Sequence, residues 1–508
     1  MAATWQKWLM IGGVLLATHL TSALHYADRY ARGTVATPLG TMSLDQTFDQ
    51  WTRATAGSDS AVYLEVARNF AEGRGLVWHL PNSGLPQSQP FTSWGPGTPV
   101  VLGAWLELAG GQTMHTFFVF SVLCQILFGV MAIATIALYT RRMPALLLTA
   151  FCSGFCPPLQ NRFFGADLTS SEIVGLVPLS LLFFALSKAF IAYRRAPADS
   201  SRNWFSRATW REGAPRQLLL WFALSGILFG WYSLTRDPGR VFAWFVAAFI
   251  MARALLIDRR RLLPGMAAAM LLVAGTYAVR YPVQRWNKAR CGRSTICDTS
   301  EGCIWRYGLW SKHNEVAWYE SMGIGFGEYL DPDAARRVED YYRQDKPQAS
   351  FYSLYELVQA IANRPADALT FKLARLPVLW LGTDMWPRAQ WRLETEWCLL
   401  LYLSLASFIA VRAWRRQYVP ESLYLYILLL CCAMPFMHFE FRYTFPAWHA
   451  LVLAPGLLIA VLARGSGGRL LIDGEAEQTE GVENRVESTV PHVARPSEAT
   501  VHSAAGNR

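Results

Sequence analysis

The sequence predicts an all-α polytopic membrane protein: about ten transmembrane helices, with two long extracytoplasmic loops that contain juxtamembrane helices. Three observations predict it. Hydrophobic residues make up 53% of the 508 and gather in blocks almost without charge, each about 17–25 residues long, the length that crosses a bilayer core as a helix. Arginines collect in the short segments between those blocks, the pattern of cytoplasmic loops. The polar bulk lies in two long segments, 25–113 and 282–392.

Residues 8–24, "WLMIGGVLLATHLTSAL", follow Lys7 and read as the first span. The lack of a convincing small-x-small cleavage site and the membrane character of the rest favour an uncleaved helix over a removed signal peptide. Parity then puts the loop 25–113 on the extracytoplasmic side. Within it, "GSDSAVYLEVARNFAEGRGLVW" (57–78) places Val62, Val66 and Phe70 at helical spacing beside Tyr63 and Ala67. That is an amphipathic helix opened by Ser58-Asp59, both favoured N-cap residues. Residues 98–110, "TPVVLGAWLELAG", are apolar but too short to span and carry Glu107, so they read as a re-entrant or interfacial helix.

Further spans are expected at 114–140, 143–160, 172–193, 217–235, 240–257, 264–281, 393–413, 421–437 and 446–463, with both termini cytoplasmic. The intervening arginines alternate as this requires: Arg141-Arg142, the six arginines of 194–216, Arg259 to Arg261, and Arg412, Arg415 and Arg416. The segments group into a transmembrane module with the first loop (1–281), the large loop (282–392), the last helices (393–463) and a tail (464–508). The large loop carries helical stretches too polar to span, and 372–382 is a short apolar case like 98–110. The tail turns to Gly, Ser, Glu, Thr and Val without an aromatic residue, a composition expected to lack structure.

The net charge of +10 is explained by these cytoplasmic loops, which leaves no call for nucleic acid as a partner. Of the nine cysteines, Cys124, Cys152, Cys156, Cys398, Cys431 and Cys432 fall in or beside apolar blocks and read as small hydrophobes. Cys291, Cys297 and Cys303 share the large loop. One disulfide among them leaves a thiol over, with the pair open, and no fourth ligand follows at zinc-finger spacing.

Charges at the outer ends of the spans are costly unless they have partners or a purpose. Asp59 lies in the first loop; Asp167 and Glu172 lie in "NRFFGADLTSSE"; Arg236, Asp237 and Arg240 lie in "TRDPGR"; His438, Glu440 and Arg442 lie in "HFEFRY". Each also has a plain structural role open to it. Asp59 caps its helix, Asp167 and Glu172 are solvated loop charges, the arginines snorkel to headgroups, Arg442 pairs with Glu440, and His438 is interfacial. Taken together they put carboxylates and arginines on one membrane face, where a lipid phosphate presents its headgroup. Carboxylates there can serve as general base, and arginines as bidentate donors to phosphate. Tyr63 and His79 of the first loop join His438, Glu440 and Tyr443 as substrate-binding candidates.

The order of these motifs resembles the GT-C integral-membrane glycosyltransferases, in particular the bacterial group related to protein O-mannosyltransferases and aminoarabinose transferases. The resemblance is carried by "DSAVYLEVARNFAEGRGLVW…PQSQPFTSWGPGTPVVLGAWLELAGG", "LTSSE", "GILFGWYSLTRDPGRVF", "AIANRPADALTFKLARLPVLW" and "EFRYTFP", in that order between about residues 8 and 463. It implies a GT-C-type hexosyl- or pentosyltransferase that takes a sugar from a polyprenyl-phosphate donor to a lipid, glycan or protein acceptor. The expected setting is a bacterial inner (cell) membrane, among its lipids, with the active site facing the extracytoplasmic side. By the same resemblance Asp59 is the catalytic base or a metal ligand, and Glu172 and Asp167 are second-loop catalytic acids. Arg236, Arg240 and Arg442 would hold the donor phosphate. No cofactor is required by the motifs, while a divalent metal is possible. The chain has Asp59-Ser60 where many relatives carry Asp-Glu, which bears on that metal, and Gly95-Pro96-Gly97 where they carry a proline-rich turn. The alternative activity is lipid or glycolipid transport, which calls for mid-bilayer charges and internal repeats. The alternative from a third class is a non-catalytic scaffold.

Overall fold

The computed structural model describes residues 2–31, 34–37, 40–43, 59–78, 89–91, 95–110, 114–164, 171–195, 214–236, 238–292, 296, 362–363, 365–366, 376, 380–381, 393–433, 441–463 and 470–473. Helix α1 is Ala2–Ala31 and is followed by the two-stranded ladder β1 (Thr34–Thr37) and β2 (Gly40–Ser43). Next come α2 (Asp59–Ala71), a second short ladder of β3 (Val77–Trp78) and β4 (Gln89–Pro90), and α3 (Gly97–Ala109). The first half of the bundle then runs α4 (Met114–Ile136), α5 (Met143–Gly154), α6 (Pro157–Phe164) and α7 (Ser171–Arg195). It continues through α8 (Ala214–Thr235), α9 (Pro238–Leu256) and α10 (Leu262–Cys291), then α11 (Leu393–Trp414), α12 (Leu425–Ala433) and α13 (Trp448–Leu462).

Eight helices among the described residues are long and apolar enough to cross a membrane, which makes the chain an all-α polytopic membrane protein. Two of the ten expected spans take another form. The block 143–160 breaks at Phe155-Cys156 into α5 and α6, because the Pro157-Pro158 pair cannot continue a helix but readily begins one. The block 421–437 becomes a 3-10 turn, Glu421–Leu423, and the nine-residue α12. Among the described residues neither block holds a helix of the roughly 20 residues that a bilayer core needs. The 13-residue α3 stays short, as expected, and buries one face through Thr98, Leu102 and Leu106 while Glu107 is exposed.

Helices α7 and α13 are buried over most of their length and form the interior. Helices α1, α10 and α11 leave large apolar side chains exposed along one side, among them Leu16, Met270 and Leu403. Helices α8 and α10 approach through glycine: a Cβ on Gly226 would lie 2.5 Å from the Leu272 carbonyl oxygen. Close backbone approach through small residues is how membrane helices gain van der Waals contact without a hydrophobic driving force. Cys124, Cys152, Cys156 and Cys398 are buried free thiols, whereas Cys431 and Cys432, expected to be buried, are exposed on α12.

The arginine-rich segments gather at one end of the bundle. Arg253, in the last turn of α9, meets Glu421, which also accepts the Tyr418 hydroxyl. The Arg194 guanidinium lies 3.6 Å from the centre of the Tyr418 ring. Arg261, in the turn before α10, donates to the Tyr193 carbonyl at 3.3 Å and meets Asp258 at 3.1 Å. Burial pulls the Arg261 pKa down from its ordinary value, and the Asp258 charge opposes that shift.

Arg412 is wholly buried at this end and its fork is filled. Nη1 and Nη2 each meet one oxygen of Asp473 at 2.7 Å, Nε donates to the Tyr418 carbonyl at 2.8 Å, and Nη1 reaches Gln417 Oε1 at 2.9 Å. Asp473 belongs to the segment beyond 464 that its composition marked as structureless. Residues 470–473 instead dock, with Leu470 and Ile472 buried and the Leu471 N–H donating to the Tyr139 carbonyl at 2.9 Å. Two apolar side chains and one ion pair outweigh composition over this short stretch; the remainder of the tail lies outside the described residues.

Candidate functional site

The opposite end of the bundle holds the candidate site. Helix α7 opens at Ser171, and Glu172 stands in its first turn, where a negative charge is favoured by the helix dipole. Helix α8 ends at Thr235. The Arg236 N–H still donates to the Tyr232 carbonyl at 2.7 Å, and the Gly239 N–H donates to the Arg236 carbonyl at 3.1 Å, so the chain reverses directly into α9. Pro238 begins that helix, a position at which proline's missing N–H costs nothing.

This reversal aims Arg236 at α7. Its Nη1 donates to Glu172 Oε1 at 2.7 Å, with the two side chains 10% and 6% exposed. The Ser171 hydroxyl donates to Glu172 Oε2 at 3.3 Å. Tyr232 packs beneath the pair, and a Cβ on Gly175 would lie 3.3 Å from its ring, which sets the spacing of α7 and α8. Glu172 is therefore neither a solvated loop charge nor an isolated acid. It is a nearly buried carboxylate that orients a guanidinium.

The first loop reaches this point through glycine. A Cβ on Gly95 would sit 2.1 Å from the Leu234 carbonyl oxygen, and one on Gly97 would sit 2.9 Å from Thr235 Cγ2. Only residues without side chains let this turn press on the last turn of α8, next to Arg236. Helix α2 lies against α3 at Gly103, whose Cβ would come 2.8 Å from the Ala67 carbonyl oxygen. The expected stripe of α2 is buried at Val62, Tyr63, Val66 and Ala67, while Phe70 is 36% exposed.

The "N…G.G" spacing after the stripe has a local cause. Asn69 Nδ2 donates to the Val77 carbonyl at 2.7 Å and Asn69 Oδ1 accepts from Arg74 Nε at 2.8 Å. The turn between needs left-handed backbone at Gly73 (φ 75°) and Gly75 (φ 85°), which glycine adopts without penalty. Phe91 then closes the unit edge-on to Tyr63 and Trp78 at 6.2 and 6.4 Å. Tyr63, one of the substrate-binding candidates, is 3% exposed and packs α2 onto this unit.

Of the expected site residues, the structure brings Glu172 and Arg236 together and sets Arg240 in the first turn of the adjoining α9, partly exposed. The backbone of Asp59 begins α2, and those of Arg442 and Tyr443 lie in the 3-10 turn Phe441–Ala447, but their side chains fall outside the described residues. Asp167, Asp237, His79, His438 and Glu440 also fall outside them. Among the described residues no group of three or more His, Cys, Asp or Glu side chains is placed to hold a metal ion. The motifs did not single out Thr98, wholly buried beside this turn, or Tyr232. The run "GPGTP", two glycines and two prolines around a single hydroxyl, was the available signal for Thr98.

No protein-family model matches the chain, and no curated protein matches it. Among solved structures it is similar to the archaeal oligosaccharyltransferase AglB from Archaeoglobus fulgidus in complex with an inhibitory peptide and a dolichol-phosphate. The identity is 13% and the TM-score 0.43, over 92% of this chain and 52% of that one. It is also similar to the Archaeoglobus fulgidus oligosaccharyltransferase in complex with Zn and sulfate, at 12% identity and TM-score 0.43, over 94% of this chain and 51% of that one. The chain thus spans about half the length of the structures it matches.

Proposed function

We propose that the chain is a membrane glycosyltransferase of the GT-C type. It transfers a sugar from a polyprenyl-phosphate donor to a lipid, glycan or protein acceptor on the extracytoplasmic face of a bacterial inner membrane. The observation that carries this reading is the nearly buried Glu172–Arg236 pair at the end of the bundle away from the arginine-rich loops. A guanidinium held rigid in low-dielectric surroundings is suited to the charge that develops on a leaving phosphate. Glu172 is the positioning residue for Arg236 in this scheme, and the order of sequence motifs supports the assignment.

The proposed chemistry is inverting. Asp59 takes the proton of the acceptor hydroxyl or amine, the acceptor attacks the anomeric carbon, and the bond to phosphate breaks with its electron pair leaving on the phosphate oxygen. Arg236, with Arg240 and Arg442, stabilises that oxygen. The α2–α3 unit walls the reaction from bulk water along the membrane surface.

The test is Asp59→Asn in the full chain reconstituted in vesicles. Transfer from a labelled polyprenyl-phosphate sugar is expected to disappear while the melting temperature and binding of polyprenyl phosphate persist. Near-normal turnover sinks the assignment of the base. Labelled lipid that changes leaflet without a new glycosidic bond would establish transport in place of transfer.

A further inference from the structure

Three helices begin near the end of α8 that leads into Arg236: α7 at Ser171, whose Glu172 meets Arg236, α9 at Pro238, and α3 at Gly97, whose turn is pressed on Leu234 and Thr235. Each helix N-terminus brings partial positive charge and free N–H groups, so the three favour an anion at their meeting point. Glu172 is the acidic residue of the α7 first turn, while Arg236 and Arg240 add two positive charges beside it.

The start of α3 is unusual in its donors. Its N-cap is Pro96, which makes no capping hydrogen bond, and Pro99 has no N–H. The donors of its first turn are therefore the N–H groups of Gly97 and Thr98 and the Thr98 hydroxyl. Thr98 is wholly buried, and among the described residues its Oγ1 has no hydrogen-bond partner. Burying a hydroxyl unpaired costs free energy that a valine of the same shape would not, so a threonine here calls for a partner from outside the chain.

We infer that the first turn of α3 is one half of a phosphate seat, in which the Thr98 hydroxyl and the Gly97 and Thr98 N–H groups donate to the phosphate oxygens of the lipid-linked donor opposite Arg236. This rests on the glycosyltransferase reading and adds the residues that hold its leaving group. The hydroxyl is closed off in this structure. Entry of the phosphate therefore has to part the Gly95–Gly97 turn from the end of α8, and donor binding moves the α2–α3 unit.

The experiment compares wild type, Thr98→Val and Thr98→Ser, each as the full chain in detergent and in vesicles, with undecaprenyl phosphate as the probe. Undecaprenol, inorganic phosphate and phosphatidylglycerol are the controls. Thr98→Val is expected to melt no lower than wild type without lipid, yet to bind undecaprenyl phosphate about tenfold more weakly, the effect of losing one hydrogen bond to a charged group. Thr98→Ser, which keeps the hydroxyl, is expected to bind within about twofold of wild type. Thr98→Val binding as tightly as wild type overturns the seat while leaving the glycosyltransferase reading intact. A lower melting temperature for Thr98→Val also overturns it, since the hydroxyl would then serve the fold. Stabilisation by phosphatidylglycerol or inorganic phosphate equal to that by undecaprenyl phosphate reduces the seat to a general anion site. Wild type that does not distinguish undecaprenyl phosphate from undecaprenol removes the reading on which the inference rests.

Discussion

Arg412 and Arg236 stand at opposite ends of the bundle. Arg236 just precedes α9, about 28 Å long for its 19 residues. Arg412 meets Tyr418, whose hydroxyl shares Glu421 with Arg253 in the last turn of α9. Both are held by a carboxylate at 2.7 Å. Around Arg412 the chain supplies partners to every nitrogen of the fork, and both oxygens of Asp473 are engaged. Around Arg236 the chain brings together the contact with Glu172, the nearby first turn of α3 and a buried hydroxyl, that of Thr98, without a hydrogen-bond partner among the described residues. The contrast separates two uses of a buried arginine. Where the fold answers every nitrogen of the fork, the charge is structural; at the other end, on the reading proposed above, the unmet hydroxyl is kept for the donor phosphate.

The largest expected effect tests the first half of that contrast. Asp473→Ala leaves Arg412 buried without its counter-charge, which costs about 3–5 kcal/mol. Chemical denaturation in detergent measures it. The double variant Arg412→Met, Asp473→Leu recovers most of the loss, because an apolar pair of similar volume replaces a buried ion pair at little cost. A cost below about 1 kcal/mol for Asp473→Ala would put the pair in the class of surface contacts and break the comparison.

The next effect belongs to the other end. Arg236→Ala is expected to lower the kcat/KM of sugar transfer by about 10²–10³, the cost of removing one donor to developing negative charge. It is expected to destabilise the chain less than Asp473→Ala does. If instead the stability losses match and the activity per folded molecule is unchanged, the two arginines are of one kind. Gly95→Ala is smaller in stability but tests the link between loop and pair. The new methyl must displace the Leu234 carbonyl, at about 1–3 kcal/mol, and transfer falls because the end of α8 carries Arg236 with it. Unchanged activity would detach the first loop from the site.

Much of this architecture was legible as pattern. Block length and arginine placement marked the eight long helices, because a membrane helix must satisfy its own backbone and cytoplasmic loops collect positive charge. The spacing of Val62, Tyr63, Val66 and Ala67 marked the buried face of α2. Glu172 and Arg236 could be nominated separately, but their pairing spans 64 positions and depends on the α8–α9 reversal, which no local spacing encodes. The breaks in 143–160 and 421–437 were hidden because hydropathy averages over a proline pair and over a turn. Thr98 was hidden for a different reason: "GPGTP" marks a tight turn around one hydroxyl, but whether that hydroxyl is met depends on its surroundings and not on the run itself.

The return of residues 470–473 to the bundle has a practical corollary. Composition alone would set the end of the folded body near Arg464, and a protein trimmed there would lose Leu470, Ile472 and the counter-ion of Arg412 together. Trimmed after Asp473, it keeps all three. The nine residues between those two cuts thus decide whether a shortened protein keeps the counter-ion of Arg412 and two buried side chains, at the end of the bundle away from the candidate site.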